Sequence, residues 1–151
     1  METITSCINE ITINYKRRKF GYTSVKNSLE VSHFIRQVYN TTESEIELKE
    51  YFFILLLNRA NKVIGYHKLS EGGICGTVVD VRLVFATALK SLATGIIITH
   101  NHPSGNKKPS EQDNKITKQI AQVGKLLDIQ LLDHIIITSD DYYSFADNGQ
   151  L

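Results

Sequence analysis

Apolar and polar positions divide the chain into short segments of two kinds. Residues 51–57 (YFFILLL), 94–99 (TGIIIT) and 129–138 (IQLLDHIIIT) are almost continuously apolar and bounded by charge or turn residues. Runs of that length predict strands buried on both faces. Residues 63–69 (VIGYHKL) form a further strand, and the NRANK turn at 58–62 makes a hairpin of it with 51–57. Residues 24–39 place Val25, Leu29, Phe34, Ile35 and Val38 on a helical stripe. Residues 77–93 start extended and turn helical, with Val84, Ala88 and Leu92 at i, i+4 spacing. Residues 109–127 (PSEQDNKITKQIAQVGKLL) predict another helix, and 142–149 a short strand or turn. The segment 40–50 is a polar connection, and 70–76 (SEGGICG) a glycine-rich loop. Residues 1–22 are polar and β-leaning, with alternation in ITINY, so they read as an arm or an edge strand. The resulting organisation is an arm, 1–23, and one domain, 24–151. Its class is α/β or α+β, a mixed sheet flanked by helices.

Composition narrows this picture. A chain of 151 residues, 42% hydrophobic and 22% charged, is one domain able to bury a core. A net charge of +1 argues neither for nor against a nucleic-acid partner, so only a local patch can make that case. The one basic cluster is Tyr15-Lys16-Arg17-Arg18-Lys19-Phe20, whose cations suit phosphates and whose aromatics suit bases, or which is simply a solvated arm. Cys7 and Cys75 make neither a disulfide framework nor a metal pair, which suits a reducing compartment. The first twenty residues lack the apolar core of a signal peptide, and no apolar run approaches a membrane span. The expectation is a cytoplasmic protein with no membrane partner. Gly72, Gly73 and Gly76 are not followed by the Lys-Ser/Thr of a phosphate loop.

The chemistry concentrates in residues 98–113, ITHNHPSGNKKPSEQD. His100 and His102 are two apart at a strand end, so both imidazoles point one way and Asn101 the other. Pro103 to Gly105 turns the chain. Ser110 and Asp113 then share one face of the first helical turn. If the loop folds back, Asp113 completes a His-His-Asp set, and three protein ligands leave a fourth tetrahedral position for water, as in a catalytic zinc site. A water there ionises near pH 7 rather than about 15.7. The plain alternative is that Ser110 and Asp113 are a helix N-cap with an acidic N3 residue. One carboxylate can do both. A hydrolase of this kind needs a general base. Glu50, immediately before the apolar strand, and Glu71, in the glycine-rich loop, compete for it, and Glu50 also reads as a solvated end of the charged run ESEIELKE. His134 reads as a hydrogen-bonded core histidine, His33 and His67 as surface or packing residues, and Cys75 as a remote extra ligand.

HNHPSG followed by PSEQD resembles the RadC family, a branch of the JAMM (MPN) metalloprotease superfamily. Its pattern is an upstream Glu, then HxH, seven residues, Ser, two residues, Asp; here it runs His100, His102, Ser110, Asp113 without insertion. The strand EYFFILLLNRANKVI, the loop 70–77, VVDVRLVFATALK and LLDHIIIT also look like family segments, so the resemblance covers about residues 25–147. It implies that His100, His102 and Asp113 hold zinc (Zn2+), that Glu50 is the acid/base, and that Ser110 donates to the developing oxyanion. It further implies a cytidine deaminase-like three-layer architecture and cleavage of a peptide or isopeptide bond. Two departures stand out. Longer RadC proteins carry a helix-hairpin-helix DNA-binding region, to which nothing in residues 24–151 corresponds. Around Arg82 the family's usual Pro and Glu are replaced by Val81 and Leu83. The expected function is a zinc-dependent amide hydrolase. The rivals are a DNA repair or recombination module with a structural or vestigial metal, and a deaminase-like nucleotide enzyme, which lacks its PCxxC signature here. Open edge strands leave room for a homodimer.

Overall fold

The computed structural model describes residues 10–20, 24–73 and 77–151. Its elements run α1 (Ser28–Thr41), β1 (Tyr51–Leu57), β2 (Val63–Glu71), α2 (Val81–Lys90), β3 (Gly95–Asn101), α3 (Glu111–Leu127), β4 (Gln130–Ile137) and β5 (Tyr142–Ser144). The sheet order is β2-β1-β3-β4-β5. Only the β3/β4 pair is parallel, joined across α3; the other three pairs are antiparallel. The sheet is therefore mixed, as the alternation of strands and helices implied.

Alternate residues of β1 feed two separate cores. Tyr51, Phe53, Leu55 and Leu57 pack with Val31, Phe34, Ile35, Val38 and Tyr39 of α1. Phe52, Ile54 and Leu56 pack with Val84, Phe85 and Ala88 of α2 and Ile116 and Ile120 of α3. Helices thus cover both faces, which is why β1 is buried at every position and reads as an unbroken apolar run. The same pleat sorts β3: Ile97 faces α1, while Ile96 and Ile98 face α2 and α3. His100 continues the second set, so the period of two sends it to the α3 side and Asn101 to the α1 side.

Helix ends differ from the sequence reading, and capping explains it. Asn27 accepts from the Glu30 N–H at 2.9 Å and the Glu30 carboxylate from the Lys26 N–H at 2.9 Å, so α1 starts at Ser28 rather than at 24. Leu29, placed on the apolar stripe, is 51% exposed. Asp80 caps α2 through the Arg82 N–H at 2.9 Å. Leu92 falls beyond that helix at φ 56 and is exposed, so only Val84 and Ala88 of the expected stripe reach the core. Residues 10–20 form an arm, not an edge strand: one bridge, Ser24 to Lys62, ties the segment after them to the β1–β2 turn. Alternation stops at Tyr15, and the four cations beyond it give a strand no apolar face to bury. Phe20 anchors the arm, stacked on Phe34 at 5.0 Å and edge-on to Tyr66 at 5.6 Å. Among the described residues no helix is long and apolar enough to cross a membrane. Cys7, Cys75 and Gly76, with the readings attached to them, lie outside the described residues.

Candidate metal centre

The end of β3 and the start of α3 build the site. His100 is 2% exposed and pairs in register with Phe52 of β1, whose ring lies parallel to it at 5.9 Å. The chain turns after Asn101, and the His102 N–H is held by the Ile137 carbonyl at 3.0 Å. Gly105, at φ 80, allows the tight turn that returns the chain to α3. The Ser110 hydroxyl accepts from the Asp113 N–H at 3.1 Å, and the Asp113 carboxylate accepts from the Ser110 N–H at 2.7 Å, a complete capping box. Capping therefore aims Asp113 back across the turn at the histidines. The carboxylate also sits at the positive end of α3, which favours its charge.

Atoms of three side chains that could ligate a metal converge there. The two Nε2 atoms are 3.0 Å apart; His100 Nε2 is 3.1 Å from Asp113 Oδ1 and His102 Nε2 3.4 Å from Asp113 Oδ2. Nitrogen and oxygen ligands about 2.0–2.1 Å from one tetrahedral zinc would lie ~3.3 Å apart. The observed spacings match that size. The proton inventory fits a cation as well. The Asn106 carbonyl, 2.6 Å from His102 Nδ1, can only accept, so Nδ1 carries the proton and the lone pair of neutral His102 is on Nε2. Of the two Nε2 atoms at 3.0 Å, at most one can carry a proton, and a positive centre between them and the carboxylate relieves the repulsion of their lone pairs.

Electrostatics without a metal point the same way. Burial pushes the Asp113 carboxyl up, but the His100 and His102 imidazoles beside it and the Ser110 hydroxyl outweigh it and hold it far below the usual carboxylate range. Burial lowers His102, but its bonds to Asp113 and the Asn106 carbonyl, with the Asp113 and Glu50 charges, leave it raised. A raised His102 and a depressed Asp113 are what a site that favours positive charge imposes on its groups.

Glu50 lines the same small cleft, of ≈30 Å³, as Phe52, Val79, His100, Gln112 and Asp113. That is room for a water. Glu71 does not line it; its carboxylate pairs with Lys49 and Lys68. Ser110 lies one bond from the site, but its hydroxyl proton goes to Asp113 Oδ2 at 2.7 Å. Donation to an oxyanion would need that proton to turn away from the carboxylate.

Two residues left out of the sequence-derived site are hydrogen-bonded to its members or their flanking backbone. Asn101 faces the α1 side, where its Oδ1 accepts from the Tyr51 N–H at 2.8 Å and the Tyr39 hydroxyl at 3.1 Å. Its Nδ2 donates to the Ile46 carbonyl at 2.6 Å and the Lys49 carbonyl at 2.9 Å. These bonds clamp the backbone on both sides of Glu50. His134, fully buried on β4, has its Nε2 2.9 Å from His100 Nδ1 and its Nδ1 2.6 Å from Thr117 Oγ1. Burial holds it well below the ordinary histidine range, so it is neutral. The reading of His134 as a buried, hydrogen-bonded core histidine is right, and its partner is His100, a candidate metal ligand. No spacing rule reveals either contact, because the partners are 50 and 34 residues away.

A mixed sheet covered by helices on both faces, with HxH at a strand end and Asp in the next helical turn, is the architecture of a JAB/MPN-type domain. A family model described as a RadC-like JAB domain matches residues 25–150, and the chain belongs to that family. It is 56% identical over 100 residues to a UPF0758 protein of Flavobacterium johnsoniae, 66% of this chain and 44% of that protein. A UPF0758 protein of Porphyromonas gingivalis is 46% identical over 104 residues, 68% of this chain and 46% of that protein. The chain thus spans less than half the length of these relatives.

Proposed function

We propose that this domain is a zinc-dependent hydrolase of amide bonds, acting on a peptide or isopeptide. The observation that carries the reading is the convergence of two imidazole nitrogens and a carboxylate at ligand spacing beside a cleft that Glu50 lines. His100, His102 and Asp113 would hold the ion. When bound, zinc supplies Lewis acidity, which activates a water near neutral pH and polarises a substrate carbonyl. Glu50 accepts the water's proton and returns it to the departing amine as the C–N bond breaks. Ser110, once its hydroxyl turns from Asp113, donates to the oxygen that gains charge. Asn101 fixes the backbone from which Glu50 reaches the cleft.

A second reading, a module that binds single-stranded nucleic acid, draws on a different part of the molecule. The arm and β2 enclose a groove of ≈720 Å³ lined by Lys16, Arg17, Arg18, Lys68 and Lys90, with no carboxylate among its described lining residues. One pair of measurements separates the two. The hydrolase reading expects Glu50→Gln to retain zinc and lose turnover of an amide substrate by about 10²-fold or more. The binding reading expects affinity for a single-stranded oligonucleotide that falls with salt and on neutralising Lys16 to Lys19, with Glu50→Gln unchanged.

A further inference from the structure

The direction of each hydrogen bond behind His100 follows from one carbonyl. Asp113 C=O can only accept, and Thr117 Oγ1 lies 2.6 Å from it, so the threonine proton is there. Oγ1 therefore accepts from its other neighbour, and His134 Nδ1, 2.6 Å away, carries a proton. Neutral His134 then has a bare Nε2. That atom lies 2.9 Å from His100 Nδ1, which must donate to it. Neutral His100 is left with its lone pair on Nε2, the atom facing Asp113 and His102.

The opposite polarity would put a proton on His100 Nε2, between the ligand atoms. Nothing intrinsic to His134 forbids it, because a neutral imidazole adopts either tautomer and its partner decides. The partner sits on α3, four residues after Asp113, so the helix that supplies the carboxylate also sets the tautomer of the histidine opposite. The His134 ring is held for this task, stacked on Phe145 at 4.7 Å, with its backbone N–H on Asp133 Oδ1 at 2.7 Å.

We infer that Thr117 and His134 are positioning residues for the metal centre: a one-way hydrogen-bond chain from Thr117 through His134 locks His100 as the Nδ1–H tautomer, with Nε2 ready to ligate. The inference rests on the metal-site reading and adds the residues that prepare it. Outer partners of ligating histidines typically carry 10–100-fold in metal affinity.

The test has two arms. Nitrogen-15 NMR of the metal-free protein, at a pH well above the ordinary histidine range, reads the ring tautomers without zinc. His100 and His134 are expected to be protonated at Nδ1 and bare at Nε2; a proton on His134 Nε2 overturns the chain. Zinc titration then compares wild type with Thr117→Val, nearly isosteric, and Thr117→Ser, which keeps the hydroxyl. Thr117→Val should bind zinc about 10–100-fold more weakly and Thr117→Ser close to wild type. Equal affinity in all three overturns the positioning role. Wild type binding no zinc would sink the metal-site reading and this inference's ligation claim together, and the tautomers would still show whether the chain exists.

Discussion

Asn101 stands between two candidate metal ligands, His100 and His102, and its side chain turns away from both. Its side-chain amide makes four hydrogen bonds, with the Tyr51 N–H, the Tyr39 hydroxyl and the carbonyls of Ile46 and Lys49. Every one of its polar positions is used and the site is buried, so truncation leaves several groups unpaired. Asn101→Ala is expected to lower unfolding free energy by about 2–4 kcal/mol in urea titration, while His100, His102 and Asp113 keep their own contacts. A cost below about 0.5 kcal/mol would mean that water replaces the amide and that Glu50 is not clamped. At this scale the sequence shows which way side chains point but not whom they meet. Period two placed His100 and His102 together and Asn101 opposite, and the cap motif placed Ser110 beside Asp113. The partners of Asn101 and His134 come from distant segments, and the Ser110 proton is committed by a geometry that spacing does not specify.

Among the elements, α3 positions most of the site, and its end is as constrained as its start. A Cβ on Gly124 would lie 2.3 Å from the Ile129 carbonyl oxygen, in the turn that Asp128 makes at φ 55. That oxygen is backbone and cannot swing aside. Alanine would gain about 1 kcal/mol of helix propensity, but the clash forces the α3–β4 connection apart at about 1–3 kcal/mol. Gly124→Ala should therefore be net destabilising, by a lower midpoint in thermal unfolding; a raised midpoint would show that the turn relaxes freely. Strand identities were readable because burial on both faces leaves continuous apolar runs, as in β1 and β3. Helix ends and the arm were not. The α1 start depends on Asn27 capping Glu30, and within the described residues 10–20 the edge-strand reading failed on the four cations after Tyr15, the rest of that reading lying outside the described residues.

Across the whole molecule, fold stability and metal binding should respond to pH in opposite directions, because they compete for one proton. The raised His102 contributes stability to the metal-free fold below its ordinary value of about 6.5, and loses it as pH rises through the raised value. The depressed Asp113 contributes above about 3.9 and loses it as pH falls. Together they favour the metal-free fold most between about pH 4 and 6.5. Zinc needs that proton gone, so its affinity should climb about tenfold per pH unit until His102 is neutral. The difference in unfolding free energy between wild type and His102→Gln, measured without metal, should shrink from about pH 5 to about pH 8 while zinc affinity grows; both rising together would contradict the shared proton.

The central claim is that His100, His102 and Asp113 form an open site for one zinc, with Glu50 beside it and outside the ligand set. Zinc stoichiometry by elemental analysis of wild type, Asp113→Ala and Glu50→Gln tests it most directly. The account predicts about one ion in wild type and Glu50→Gln and loss of the ion in Asp113→Ala. Wild type without zinc at micromolar metal would contradict it: the Ser110–Asp113 pair would then be a helix cap only, and the basic groove along β2 the better guide to function.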